Sequence, residues 1–122
     1  MAGMEIKNIE KPDETRKFVA HGWAEVVTVP GLTFLRGTFQ PGWMWSKDVK
    51  PIAGTDSCQV QHTAYVVSGK MRITMAADGT SYDVGPGDVF LCKPGHDAYT
   101  LGDEDCVMYD FSSAAAGYAT TT

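Results

Sequence analysis

The sequence predicts an all-β fold, and three observations carry that expectation. Short apolar runs are separated throughout by Gly and Pro, at Pro30-Gly31, Pro41-Gly42, Gly85-Pro86-Gly87 and Pro94-Gly95. The run "MRITMAA" alternates cleanly, with Met71, Ile73 and Met75 on one face and Arg72 and Thr74 on the other, which is the period of a half-buried strand. Asp78-Gly79 follows it as a two-residue hairpin signal. Seven or more short strands with this punctuation pack as a sandwich or a barrel, and double-sheet closure hides their edges.

Taken in order, "EKPDETRKFV" over residues 10–19 reads as a short N-terminal helical segment, with Asp13 and Glu14 suited to its first turn. "WAEVVTV" (Trp23–Val29) is a strand closed by Pro30-Gly31. "LTFLRGTF" (Leu32–Phe39) is the next, closed by Pro41-Gly42. "YVVSG" leads a strand that ends in Gly69, Met71–Ala77 follows, and "TSYDV" returns antiparallel after the hairpin. "DVFLC" (Asp88–Cys92) and "CVMYDF" (Cys106–Phe111) are two further strands. The tail "SSAAAGYATTT" is small and polar and is expected to fray. With 122 residues and no linker or internal repeat, the chain reads as one domain over 1–122, its β core spanning about 32–111.

Composition narrows the function. Hydrophobic residues make up 43% and charged residues 20%, as in ordinary globular domains. A net charge of -5 without a basic cluster argues against nucleic acid and anionic membrane as partners. No apolar run has the length of a membrane helix, and the first twenty residues carry eight charged side chains where a signal segment would be apolar. The expectation is a cytoplasmic protein. Three cysteines, Cys58, Cys92 and Cys106, form no disulfide framework; Cys92 and Cys106 read as small buried hydrophobes. No nucleophile elbow, phosphate loop or paired-cysteine zinc motif is present.

Two stretches resemble the core of a cupin: "YVVSGKMRITM" and, after the hairpin, "VGPGDVFLCKPGHDAYTL". The preceding "PGWMWSKDVKPIAGTDSCQ" is similar to a subgroup of small stand-alone bacterial cupins. The resemblance covers roughly Leu32 to Phe111. It implies a double-stranded β-helix, the jelly-roll barrel, holding a metal through two motifs: His-x-His, three or four residues, Glu, six residues, Gly; and Gly, five residues, Pro-x-Gly, two residues, His. Counted back from Gly69, the glutamate position holds His62 and the two histidine positions hold Asp56 and Cys58. The leading glycine position holds Lys50. In the second motif Gly87 and Gly95 match, but the proline position holds Lys93, with Pro94 one later. The last histidine position holds Ala98, with His96 two residues early. No position keeps its usual ligand, so the metal motif is degenerate.

The remaining constellation, Asp56, Cys58, His62 and His96, offers ligands for zinc, iron or copper, and thiolate with imidazole suits zinc best. On a straight strand Cys58 and His62 stand about 13 Å apart, so they share an ion only where the chain bends. "QVQ" between them carries no Gly or Pro to mark a bend. The plain alternatives are a small core residue for Cys58, a histidine bonded to Gln59 or Tyr109 for His62, and a solvated loop residue beside Asp97 for His96. His62 and His96 are also the candidate acid–base residues, since imidazole titrates near neutrality. In "GWMWSKD", Trp43 and Trp45 share parity and would wall a small apolar ligand, with Tyr109 as a third pocket residue; core or subunit packing is the plain alternative. Lys47 and Lys50 lie close by as partners for a ligand carboxylate, with solvated lysines as the plain alternative.

The expectation is therefore a small-molecule site at the barrel mouth, with a divalent metal on a non-standard Cys/His set in one reading. The other reading is a metal-free binding or sensing domain. Like many small cupins, the chain is expected to be a homodimer through an outer strand face.

Overall fold

The computed structural model describes residues 3–120 and contains two β-sheets with a short helical insert. The strands are β1 (Glu14–Lys17), β2 (Gly22–Val29), β3 (Leu32–Phe39), β4 (His62–Ser68), β5 (Lys70–Met75), β6 (Ser81–Val84), β7 (Val89–Cys92), β8 (His96–Leu101) and β9 (Cys106–Asp110). Two single-turn helices, α1 (Trp45–Asp48) and α2 (Lys50–Ala53), sit between β3 and β4. The larger sheet has six strands in the order β1-β2-β3-β9-β4-β7, and the smaller has three in the order β6-β5-β8. All the strand pairs are antiparallel. Neither sheet closes on itself: β7 ends one and β6 ends the other.

The alternation of each strand sets what faces the other sheet. On β9, Cys106, Met108 and Asp110 are buried while Val107 and Tyr109 face outward. On β8, His96, Ala98 and Thr100 are buried in the same way. The inward residues of both sheets meet in one core with Phe18, Phe39, Trp43 and Trp45. Each large side chain buried there contributes roughly 1.5–3 kcal/mol.

The fold corrects three expectations. Residues 10–19 hold no helix; Glu14–Lys17 is an edge strand paired with β2 from Glu14↔Val26 to Lys17↔Trp23. The segment has no apolar stripe at helical spacing to bury, whereas edge pairing gives its backbone partners. His96 is not in a loop: it opens β8 and is 4% exposed. The tail does not fray over its described part. Ser113–Gly117 forms a 3-10 turn, and Ala115 and Tyr118 are buried. Arg16 Nη1 donates to the Tyr118 carbonyl at 2.7 Å, tying the tail to β1. Residues 121–122 lie outside the described residues.

Gly69 joins β4 to β5 with φ 72, and a Cβ there would meet Asp105 O at 2.3 Å and the Cys106 Cα at 2.6 Å. Gly69→Ala is expected to cost roughly 2–3 kcal/mol in urea unfolding, combining a left-handed backbone with a backbone clash. Gly79, with φ 73 and open space around it, is the control; Gly79→Ala is expected to cost only about 1 kcal/mol. Equal costs at the two positions would contradict the close approach at Gly69.

Candidate metal centre

Two stretches of backbone cross between the sheets side by side. Residues 59–61 belong to no strand. At one end of the crossing, His62 opens β4 in register with Cys92 of β7, in the larger sheet. At the other end, Cys58 forms an isolated bridge with His96, the first residue of β8 in the smaller sheet. Cys58 N donates to His96 O at 2.8 Å, and Gly95 N donates to Cys58 O at 2.7 Å. The change of sheet supplies the bend that neither glycine nor proline marks, and partly buried Val60 packs on the core at its middle.

The bend brings the side chains together. Cys58 Sγ lies 3.7 Å from His62 Nε2. The His62 and His96 rings are 5.1 Å apart, nearly edge to face. One donor atom from each of Cys58, His62 and His96 falls within 4.8 Å of the other two. His62 Nδ1 bonds Asp110 Oδ2 at 2.5 Å, and Asp110 Oδ1 accepts from Ser112 N and more distantly from Thr63 N. His96 Nδ1 donates to the Lys93 carbonyl at 2.9 Å, with Cys92 Sγ 3.3 Å away. Both Nδ1 atoms are thus occupied, which leaves Nε2 of each ring as the ligand atom. This is how metal-binding histidines are usually oriented.

The donor set fits a tetrahedral ion. Zn–S of about 2.3 Å and Zn–N of about 2.1 Å put ligand atoms about 3.6 Å apart, close to the Cys58–His62 contact. A thiolate with two imidazoles matches the softness of zinc. Electrostatics favours the ligand form of the cysteine. Burial alone would push the Cys58 thiol up, but hydrogen bonds and charge from His62 and His96 outweigh it and bring the pKa down to about 6. Burial opposes charge on His62 as well, yet Asp110 and Cys58 raise it to about 9. Cys58 and Cys92 raise His96 against the same burial penalty.

Beside the cluster lies a cavity of about 40 Å³ between the sheets, walled by Trp43, Trp45, Ile73 and Met108 with His62, His96 and Tyr118. Tyr118 meets the His62 ring edge-on at 5.3 Å, and burial holds its hydroxyl in the neutral form. A groove of about 500 Å³ lies outside, along β6 and β7. Ile73 and Phe90 line both spaces and so form the partition between them.

Of the residues singled out from sequence, Cys58, His62 and His96 converge, and Trp43 and Trp45 wall the same cavity. Asp56 does not join them. Its side chain is fully exposed, 3.9 Å from Lys50 Nζ, because it precedes the Cys58–His96 bridge and no strand holds it inward. Lys47 is exposed. Tyr109 does not line this cavity: it lies on the outer face of β9, packed on Phe34 at 5.1 Å and Tyr65 at 6.5 Å, one position out of parity with Met108 and Asp110. Sequence reading missed Asp110, Cys92 and Tyr118. The alternation of "CVMYDF" does place Asp110 on the face of Cys106 and Met108, a carboxylate among apolar residues that needs a partner. Cys92 ends an apolar run without alternation, and nothing periodic marks Tyr118.

The Cys58 shift predicts a spectroscopic titration. In chelator-treated protein, the ultraviolet thiolate absorbance missing from Cys58→Ala is expected to be present at pH 7.5 and to be lost as the pH falls through about 6. An ordinary thiol loses it near about 8.5; a midpoint there would contradict the imidazole contacts.

The sequence profile of the EutQ-like cupin domain matches residues 45–107, more than half of the chain. No curated protein matches the chain in sequence. Among solved structures, the polyketide cyclase RemF from Streptomyces resistomycificus aligns over 88% of this chain and 78% of its own, at 16% identity and a TM-score of 0.62. KdgF from Halomonas sp. aligns over 90% and 92%, at 17% identity and a TM-score of 0.60. An uncharacterised conserved protein with a double-stranded β-helix domain from Klebsiella pneumoniae subsp. pneumoniae MGH 78578 aligns over 88% of both chains, at 21% identity and a TM-score of 0.54. At these identities the likeness is one of fold, and it agrees with the two facing sheets. With the profile match across α1 to β9, it follows that the chain belongs to the EutQ-like cupin family, carrying a Cys/His cluster where the usual ligand motif is rewritten.

Proposed function

We propose that the chain is a small-molecule-binding cupin that uses a divalent metal, zinc by preference, held by Cys58, His62 and His96. The observation that carries this reading is the orientation of the rings: Asp110 and the Lys93 carbonyl hold the two Nδ1 atoms, and both rings stand beside the Cys58 sulfur. An ion there supplies Lewis acidity, for polarising a carbonyl or lowering the pKa of water. The chain's own residues do the rest. Asp110 fixes the His62 tautomer and balances positive charge near it. Trp43, Trp45, Ile73 and Met108 give the neighbouring cavity an apolar wall that limits water, and Tyr118 covers the His62 ring. Three protein ligands leave a coordination position for a ligand, the pattern of catalytic rather than structural zinc sites.

A second reading, a metal-free binding or sensing domain, has one observation on its side: against burial, Asp110 and Cys58 raise the pKa of His62, and Cys58 and Cys92 raise that of His96, which favours imidazolium over the neutral ring that binds metal. Metal titration separates the two. Full-length protein freed of metal is expected to take up one zinc per chain, and cobalt substitution to give a thiolate charge-transfer band. Cys58→Ala abolishes the band, and Asp110→Asn weakens zinc binding about 10–100-fold by loosening His62. Uptake of less than a few per cent, or uptake indifferent to Cys58→Ala, would leave the metal-free reading standing.

A further inference from the structure

We infer that the C-terminal segment, residues 112–120, is the gate of the inter-sheet cavity, with Tyr118 as its stopper and Arg16 as its latch. An organic ligand reaches His62 and His96 only when this segment lifts. The inference rests on the reading of this cavity as a ligand site and names what controls entry to it.

The cavity is closed as it stands. Its volume of about 40 Å³ holds roughly three waters, whereas organic ligands occupy clefts of about 300–1,000 Å³. Most of its wall comes from the two sheets, and three aromatic wall residues come from outside them: Trp43, Trp45 and Tyr118. Two of these are tied firmly to β8. The Trp43 carbonyl accepts from Thr100 N, and Trp45 opens α1, where Ser46 N donates to Asp97 Oδ1. Tyr118 is held differently. After Ser112, among the described residues, a single hydrogen bond joins the tail to the rest of the molecule, from Arg16 Nη1 to the Tyr118 carbonyl at 2.7 Å. The tail's other hydrogen bonds are internal: Ala114 N to Ser112 Oγ, Ala115 N to Ser112 O, Tyr118 N to Ala115 O, and Thr120 Oγ1 to Gly117 O.

Position makes Tyr118 the stopper. It is 3% exposed, and its ring meets His62 edge-on at 5.3 Å and Phe18 at 6.1 Å. The latch stands on the edge strand β1. Glu14 fixes the Arg16 guanidinium through Nε at 2.9 Å and Nη2 at 3.0 Å, leaving Nη1 for the tail. Ala119, next to Tyr118, has φ 56, a left-handed conformation that a residue with a Cβ adopts at a cost. Lifting the tail relieves that strain and breaks one polar contact to the body. Against it stands the burial of Ala115, Tyr118 and Ala119, which keeps the gate shut at rest. The tail is thus the least securely held part of the wall. It is also coupled to the cluster. Asp110 carries both, with Oδ2 on His62 Nδ1 and Oδ1 accepting from Ser112 N where the tail begins.

The test follows two processes in zinc-free, full-length protein. Native-state hydrogen exchange in low urea reads the tail, because a single 3-10 turn does not persist unpacked and lifting frees the amides of Ala115 and Tyr118. Oxidation by chloramine-T, located by mass spectrometry, reads entry. Met71 and Met108 line the cavity at 3% and 7% exposed, and Met4 at 73% gauges the reagent itself. In wild type the tail amides are expected to exchange through an opening nearly independent of urea, while those of β9, paired on both sides, respond steeply. Arg16→Ala is expected to speed tail exchange and Met108 oxidation together, by about tenfold each, with Met4 and the β9 amides unchanged. Gly69→Ala, which lowers global stability at the far end of β4 from His62, is expected to change neither. Tail exchange that follows urea as steeply as β9 would overturn the inference. So would tail opening without faster Met108 oxidation, or an effect of Gly69→Ala equal to that of Arg16→Ala. Should Arg16→Ala not fold, the urea dependence in wild type still decides. Zinc affinity, measured separately by chelator competition, keeps the two readings apart. Zinc binding with a tail that opens only on global unfolding fails this inference alone, and a gating tail without zinc binding fails the metal reading alone.

Discussion

The site depends on one backbone contact, the isolated bridge between Cys58 and His96. Without it, residues 58–62 would continue as a straight strand and Cys58 and His62 would lie about 13 Å apart. With it, the chain leaves the smaller sheet at Cys58 and joins the larger one at His62, while residues 92–96 make the opposite journey beside it. The ends of β4 and β7 in the larger sheet, the start of β8 in the smaller one and the bridged Cys58 are thereby placed within reach of one point. The covering groups follow from the same crossing. Asp110 reaches His62 because β9 pairs with β4, and the Lys93 carbonyl reaches His96 across the short turn that joins β7 to β8.

The charges in this corner are mutually dependent. Burial opposes ionisation of Cys58, His62 and His96 alike, and each is held in its charged form by another member of the group. Asp110 adds a hydrogen bond to His62 Nδ1 and closes the group on its larger-sheet side. Removal of one member leaves the charge of its buried partner uncompensated, so single substitutions here are expected to act on stability and on ligand form together.

Sequence reading reached the sheets more completely than the site. Strand periodicity and turn residues gave β2, β3 and β5 nearly to the residue, because alternation and Gly-Pro punctuation are local properties. The N-terminal edge strand was illegible: "ETRK" has no apolar alternation and is a strand only because β2 offers it partners. Motif counting singled out Cys58 and His62, which the fold brings together, and left His96 two residues before the motif's last histidine position. The offset is tolerated because His96 and Ala98 share parity on β8, so both face inward about 7 Å apart. Asp56 has the same parity relation to Cys58 but lies beyond the paired backbone, and parity without pairing fixes no direction. The partner roles of Asp110 and Lys93 depend on contacts between distant segments, which no local pattern encodes.

The most direct test is X-ray absorption spectroscopy at the zinc edge of the loaded full-length protein. The account predicts one sulfur at about 2.3 Å and two imidazole nitrogens at about 2.0–2.1 Å, with a light atom completing four ligands. A shell of nitrogen and oxygen alone, with no sulfur, would contradict it.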